Sequence, residues 1–313
     1  MIRKIVVSAL FFASAFFSSA QSSVRLGVLK GISCAPCAYL IENREKLAVQ
    51  NMEFHVFDSV RSQLPKLLRG ELDAGFLSPA DAAKVFTAGN GAIVALGVAQ
   101  NGNDFLLTSD ESYKSLEDLR GKSIVCARKG SEQDFVLRHV LSKKKIEAGE
   151  SEDENSVRLD FSIPAASIAS KLISGEIKYA LLGEPFAAVA QFYSPKIKRA
   201  ENFQKLYSET EKSRIYPAML LVARADFARE NGDLLRRLID VYKNALSWTA
   251  KNPSEAALLI EKHKLGLQSS VARKAIVGAA LTWRDITEAK SDLEHLYSIT
   301  NSKAPAEDFY FRR

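Results

Sequence analysis

Two stretches of this chain are similar enough to be copies of one structural unit. Residues 68–83 read LRGELDAGFLSPADAA, and residues 173–188 read ISGEIKYALLGEPFAA. The identical positions are Gly70, Glu71, Leu77, Ala82 and Ala83 in the first copy and Gly175, Glu176, Leu182, Ala187 and Ala188 in the second. Each copy has the same order of features: a helix end, a Gly-Glu turn, a short apolar strand, a polar turn and an Ala-rich helix start.

The similarity extends upstream of both copies. The first strand ends at residues 28–31 in VLKG, and a later strand ends at residues 127–130 in ARKG. A chain built twice from one α/β unit predicts two similar lobes that face each other across a cleft. Clefts between such units are common sites for small ligands, so the duplication points first to a binding protein.

The N-terminus has the pattern of a secretory signal. Arg3 and Lys4 precede an apolar run over residues 5–17, and Ser18-Ser19-Ala20 supplies small residues for cleavage. We therefore predict a signal peptide over residues 1–20, a mature chain from about Gln21 and a periplasmic location. The alternative is an N-terminal anchor, but the apolar run is short for a membrane span. No cysteine lies near the cleavage site, which disfavours a lipid anchor.

Composition and motifs argue against several other functions. The net charge of +6 is dispersed, and the one basic run, Lys143–Lys145, is followed by acidic residues, so a nucleic-acid surface is not expected. The four histidines have no metal-ligand spacing. The chain has neither a G-x-x-x-x-G-K-[ST] phosphate loop nor a G-x-S-x-G nucleophile elbow. We predict a protein that performs no chemistry and needs neither metal nor cofactor.

Strands alternate with helices from Val24 onward, which predicts an α/β fold with mainly parallel sheets and helices on both faces. The chain is expected to cross from one lobe to the other near residue 107 and to return near residue 215. The expected lobes are residues 21–107 with 215–313, and residues 108–214. Two crossing segments form a hinge, and hinged lobes close around ligands.

Several motifs place the chain beside a known family. They are SLEDLRGK at residues 115–122, Gly130-Ser131 at a helix start, GEPF at residues 183–186 and LKG at residues 29–31. In their order and spacing they resemble the nitrate/taurine-type substrate-binding proteins of ABC importers, over roughly residues 24–255. That family also holds binders of sulfonates and of thiamine-precursor pyrimidines.

The resemblance implies a type II periplasmic-binding-protein fold with two hinged lobes. It also implies a monomer that captures a small polar organic solute: a sulfonate, a nitrate-like anion or a thiamine-precursor pyrimidine. The partner implied is an ABC permease with a separate ATPase. These implications agree with the two-lobe architecture that the duplication predicts.

Ligands of open α/β sheets bind beyond the carboxyl ends of the strands, and four loops meet that condition. The candidate ligand-binding residues in them are Gly31, Ser33, Cys34, Ser78, Pro79, Gly130, Ser131, Glu184 and Pro185. Ser131 and nearby helix-start amides suit a polar or anionic group, although Ser131 is also a good N-cap. Glu184 is expected to accept hydrogen bonds from the ligand or to lock the closed lobes; the alternative is that it stabilises its own helix.

Cys34 and Cys37 form a Cys-x-x-Cys pair at a strand-to-helix junction. In an oxidising compartment the expected outcome is a Cys34–Cys37 disulfide that braces the ligand loop, with Cys126 as a lone thiol. Reduced thiols that contact the ligand, and redox catalysis or metal binding, stay open as alternatives. The rival function is therefore an enzyme: an exported thiol–disulfide oxidoreductase, or a pyrimidine-forming enzyme that uses these cysteines.

Overall fold

The computed structural model describes residues 23–47, 52–151 and 153–312. The predicted signal peptide lies outside the described residues. Within them, no helix combines the length and the apolar composition that a membrane crossing requires.

Twelve strands and twelve α-helices make up the described chain. The strands are β1 (Val24–Leu29), β2 (Met52–Phe57), β3 (Ala74–Leu77), β4 (Ile93–Asn101), β5 (Asp104–Thr108), β6 (Ser123–Cys126), β7 (Glu147–Gly149), β8 (Ser156–Asp160), β9 (Tyr179–Gly183), β10 (Lys198–Asn202), β11 (Pro217–Arg224) and β12 (Arg284–Asp285). The helices are α1 (Ala35–Glu42), α2 (Val60–Leu68), α3 (Pro79–Ala88), α4 (Glu132–Lys143), α5 (Ala165–Ser174), α6 (Phe186–Tyr193), α7 (Phe203–Thr210), α8 (Ala225–Glu230), α9 (Gly232–Lys251), α10 (Pro253–Lys262), α11 (Ser269–Ala279) and α12 (Ile286–Ile299).

The strands form two six-stranded sheets. The first sheet has the order β12-β4-β11-β3-β1-β2, and the second has the order β10-β5-β9-β6-β8-β7. Strand β11 runs antiparallel to both of its neighbours in the first sheet, and β5 does so in the second. Most of the other strands in each sheet share one direction, so their carboxyl ends meet at one edge.

The chain passes between the sheets where β4 ends and β5 begins, at Gly102 and Asn103. It returns through the segment before β11. The two segments are joined by the Gly102 N–H, which donates to the Tyr216 carbonyl at 2.9 Å. This first crossing comes slightly before the predicted position near residue 107, because the apolar residues of β5 pair with β9 in the second sheet. A side chain at Gly102 would meet the Tyr216 ring at 1.9 Å, so glycine allows this close approach.

The duplicated segments occupy equivalent places in the two sheets. Gly70 and Gly175 both follow a helix with positive φ, of 74° and 82°, and both are followed by a glutamate that pairs with a lysine of that helix. The strands that come next, β3 and β9, have buried apolar side chains, and each leads into a helix, α3 and α6. The repeat therefore places two similar strand-to-helix turns at the edges of the two sheets.

A carboxylate beside the returning segment also links the two sheets. Glu211, just after α7, bonds through one oxygen to His139 of α4 at 2.7 Å and through the other to His295 of α12 at 2.8 Å. Burial opposes the charge of Glu211, but hydrogen bonds from Lys143, His139 and His295 lower its pKa to about 2. This carboxylate thus ties a helix of the second sheet to α12, which packs on the first.

Candidate functional site

A cavity of about 320 Å³ lies where the carboxyl ends of β3 and β6 face the two crossing segments. It draws residues from both sheets, as expected for a cleft in an open α/β architecture. Its lining consists of Ser78, Ala80, Asp81, Asn103, Asp104, Ala127, Arg128, Gly130, Ser131, Glu132, Gln133, Tyr216 and Ala218. We call this cavity the cleft.

The first-sheet wall of the cleft is the start of α3. Ser78 is the N-cap residue, and its hydroxyl oxygen accepts from the Asp81 N–H at 3.1 Å, while Pro79 occupies the first turn. The Ala80 N–H donates across the cleft to Oε1 of Glu132 at 2.8 Å. This hydrogen bond joins the two walls of the cleft.

The second-sheet wall is the start of α4. The Ser131 hydroxyl accepts from the Asp134 N–H at 3.3 Å and donates to the Arg128 carbonyl at 2.8 Å. The Asp134 carboxylate in turn accepts from the Gly130 N–H at 2.8 Å. Ser131 thus has the N-cap role, and these helix-start groups are bonded to side chains of their own loop.

The lining of the cleft includes a half-buried carboxylate, Asp104. It accepts from the Tyr216 hydroxyl at 3.0 Å and from Nε2 of Gln133 at 2.7 Å. Burial raises its pKa despite these two bonds. Next to it, Asn103 is 8% exposed, and its Nδ2 is buried without a hydrogen-bond partner among the described residues.

Glu132 belongs to the second-sheet wall, and its carboxyl group bonds to the first-sheet wall through the Ala80 N–H. Burial raises its pKa to about 8; the bond from Ala80 opposes this rise, and the charges of Asp81 and Asp104 add to it. Clustered carboxylates disfavour each other's ionisation, and an approaching positive charge removes that penalty. The cleft therefore favours a ligand that carries a positive charge or a hydrogen-bond donor.

The sequence pointed to only part of this lining. Ser78, Gly130 and Ser131 line the cleft, and Pro79 lies beside it. Asn103, Asp104, Glu132 and Tyr216 were missed as site residues. Their signal was the Asn-Asp pair between two strands and the acidic residue directly after Gly130-Ser131, which read as ordinary turn and helix-start residues.

Glu184, predicted to contact the ligand, is placed elsewhere. Its side chain is 0% exposed, pairs with Arg199 and accepts from the Ala188 N–H at 3.1 Å. Burial raises its pKa to about 7, against the opposing effects of Arg199 and the Ala188 amide. Glu184 and Pro185 therefore stabilise the start of α6 and do not line the cleft.

The loop after β1 is also outside the cleft lining. The Gly31 N–H donates to the Leu265 carbonyl at 3.0 Å, and the Ser33 carbonyl accepts from the Tyr242 hydroxyl at 3.1 Å. Cys34 belongs to an apolar cluster that also holds Ala188 of α6. The cleft lining thus includes residues of two of the four loops, while apolar packing among α1, α6 and α11 covers this part of the edge. Convergence of all four loops on one pocket stays a prediction.

The predicted Cys34–Cys37 disulfide is absent. Both are free thiols in the apolar core, and Cys126 is a third buried thiol. Burial, together with its hydrogen bond to Cys34, raises the pKa of Cys37 well above its ordinary value. Since the thiolate is the reactive form, a buried and protonated pair is a poor partner for oxidation.

This arrangement predicts the outcome of thiol labelling. Native protein treated with a maleimide at neutral pH should label at none of Cys34, Cys37 and Cys126, because all three are buried. Denaturation without reductant should then expose three thiols. Recovery of a single thiol until reductant is added would restore the disulfide interpretation.

Comparison with known proteins places these features in context. Residues 18–261 match the model of the NMT1-like family. A Brucella abortus protein whose name calls it a binding protein is 25% identical over 238 residues, which cover 76% of this chain and 69% of that protein.

Three solved structures share the fold. An ABC transporter from Parabacteroides distasonis has a TM-score of 0.78 at 18% identity, covering 93% of this chain and 99% of that chain. The periplasmic aliphatic sulphonate binding protein SsuA from Escherichia coli has a TM-score of 0.70 at 15% identity, covering 93% and 92%. The periplasmic nitrate-binding protein NrtA from Synechocystis PCC 6803 has a TM-score of 0.62 at 14% identity, covering 90% and 81%. The predicted type II periplasmic-binding-protein fold is confirmed.

Proposed function

The chain belongs to the NMT1-like family, and from that premise we propose that it is the substrate-binding protein of an ABC importer. In this role it captures a small polar solute in the periplasm and delivers it to a permease with a separate ATPase. The first sheet with its helices acts as one lobe, and the second sheet with its helices acts as the other.

The observation that carries this proposal is the position of the cleft. It lies between the two sheets, at strand carboxyl ends, directly beside both crossing segments. A rotation about residues 102–103 and the segment before β11 changes the width of such a cleft without disturbing either sheet. Solutes handled by similar proteins, a sulphonate for SsuA and nitrate for NrtA, are small enough for this volume.

The enzyme alternative finds less support in the same geometry. Catalysis by Cys34 and Cys37 needs an accessible thiolate, whereas both side chains are buried and the pKa of Cys37 is raised. A double variant, Cys34→Ala with Cys37→Ala, separates the two functions, because a transport protein retains its ligand without these thiols. Loss of binding or the discovery of a thiol-dependent turnover would favour the enzyme.

Hinge closure predicts a change in shape on binding. Ligand carried through mild purification is identified by mass spectrometry, removed by partial unfolding and added back to saturation. Small-angle scattering should then show a smaller radius of gyration, because the lobes approach each other. An isomer of the ligand that does not bind serves as the control. An unchanged radius at saturation would count against closure.

A further inference from the structure

The charges around the cleft are unequal. Asp81, Asp104 and Glu132 contribute three carboxyl groups to its lining, whereas Arg128 is the one basic side chain among the described lining residues. Burial and mutual repulsion oppose the ionisation of such carboxyl groups, and a positive charge nearby relieves that penalty whereas an anion increases it. The lining therefore favours a cation over a sulfonate or nitrate.

The helix starts that usually bind anions are already occupied. At α3, the Ala80 N–H is taken by Glu132 at 2.8 Å and the Asp81 N–H by Ser78 at 3.1 Å. At α4, the carboxylate of Asp134 accepts from Gly130 at 2.8 Å. An anion in the cleft has to displace the Glu132 carboxylate, which comes from the protein itself and occupies the place of a bound acid.

The cleft also has a neutral polar side chain that lacks a hydrogen-bond partner. Asn103 is only 8% exposed, and its Nδ2 has no hydrogen-bond partner among the described residues while the residue lines the cleft. A buried donor without a partner is costly, and a ligand acceptor is a natural way to satisfy it. The lining of the cleft thus suits a ligand that has a positive or hydrogen-bond-donating group and also a hydrogen-bond acceptor.

We propose that Glu132 determines specificity by excluding anions from the start of α3, so that the cleft binds a small organic cation or amine that also carries a hydrogen-bond acceptor. This inference rests on the proposed function and narrows its substrate class. An amine or amidine meets the carboxylates of Glu132, Asp81 and Asp104, and its acceptor meets Nδ2 of Asn103. The volume of about 320 Å³ suits a molecule of metabolite size.

The experiment compares amine probes with anionic probes. Benzylamine is paired with benzenesulfonate, and N-acetylputrescine, which has an amine and an amide carbonyl, is paired with propanesulfonate; nitrate is added alone. Each is tested by thermal shift and calorimetry against ligand-stripped protein. We expect the amine of each pair to bind more tightly than the sulfonate. The ligand that co-purifies with the protein should likewise carry an amine or amidine.

Glu132→Gln tests whether the carboxylate sets this preference. It keeps the size of the side chain and should weaken amine binding about 10- to 150-fold, the loss expected for a charged hydrogen bond. Glu230→Gln, at the exposed end of α8 in the other lobe, is the matched control and should change affinity less than about twofold.

Proton release gives a readout that a structural role would not produce. The groups that interact electrostatically with Glu132 are Asp81 and Tyr297 from the first lobe, Tyr216 from the returning segment, and Asp104 and Arg128 from the second lobe. A bound cation favours the ionised form, so a carboxyl group with a pKa of about 8 loses its proton at pH 7. Calorimetry in two buffers should show this release in the wild type and less of it in Glu132→Gln.

The outcomes separate the inference from the function on which it rests. A sulfonate or nitrate that binds more tightly than the amines overturns the cation assignment but leaves the binding protein intact. If wild type and Glu132→Gln bind the amines with equal affinity, then Glu132 does not determine the preference for cations. Protein that retains no small molecule and responds to no probe or periplasmic extract contradicts the binding function itself, and the inference falls with it.

Discussion

Replacing Glu184 by alanine should lower the free energy of unfolding by about 3 kcal/mol while ligand affinity changes less than about threefold. The carboxylate is 0% exposed, pairs with Arg199 and accepts from the Ala188 N–H. Its removal leaves Arg199, which is 22% exposed, without its ion-pair partner. Breaking a buried pair costs more than the pair itself contributes, because one charge stays desolvated. Urea unfolding monitored by circular dichroism measures the change.

A matched control is available in the other glutamate of the duplicated segment. Glu176 pairs with Lys171 on the surface, so Glu176→Ala should cost less than about 1 kcal/mol. If Glu184→Ala instead keeps its stability and binds ligand at least tenfold more weakly, then Glu184 contacts the ligand. In that case the role predicted from the sequence would be correct, and the helix-stabilising role would be wrong.

Replacing Gly278 by alanine should weaken ligand binding by about tenfold or more. Gly278 lies on α11 in the first lobe, and an added Cβ would lie 2.0 Å from Oε1 of Glu184 and 2.4 Å from Nη1 of Arg199 in the second lobe. Both atoms are the ends of flexible side chains, but they are paired with each other, so making room for the methyl group displaces the ion pair. Overpacking costs about 1–3 kcal/mol, and the strain is relieved when the lobes separate, so the closed form loses population.

Calorimetry with the co-purified ligand measures the affinity, and small-angle scattering measures the lobe separation. Gly232→Ala is the control, since its added Cβ would approach no heavy atom closer than 3.6 Å. Alanine is also a better helix former than glycine by about 1 kcal/mol, which limits any effect of Gly278→Ala on unfolding. Affinity and radius of gyration equal to those of the wild type would show that a methyl group at this position does not hinder closure of the lobes.

The duplicated segment explains why much of the fold was predictable. Gly70 and Gly175 each adopt positive φ, which few residues other than glycine tolerate. Each precedes a short apolar run, and such a run predicts a buried strand. The alternation of strands and helices then leads to two mainly parallel sheets. The family motifs around Ser131 agree with the match to the NMT1-like family.

The missed features depend on contacts between distant parts of the chain. The bond from Ala80 to Glu132 joins residues of different sheets, and the burial of Cys34 and Cys37 follows from helices far along the chain. Glu184 sits in a loop that looks suited to a ligand, but Arg199 and Gly278 decide its role. Local patterns carry no information about such partners, so the site was predicted less well than the fold.

The position of β11 has a consequence for how the protein acquires its structure. This strand lies between β3 and β4, although it follows them by more than the whole second sheet in sequence. A ribosome or a translocation channel delivers the second sheet complete while the first still lacks an inner strand, so β3 and β4 expose unpaired edges until Arg224 emerges. Contacts between distant segments form slowly, and exposed strand edges recruit other chains. A chaperone would therefore be needed most before β11 emerges, while the edges of β3 and β4 are unpaired.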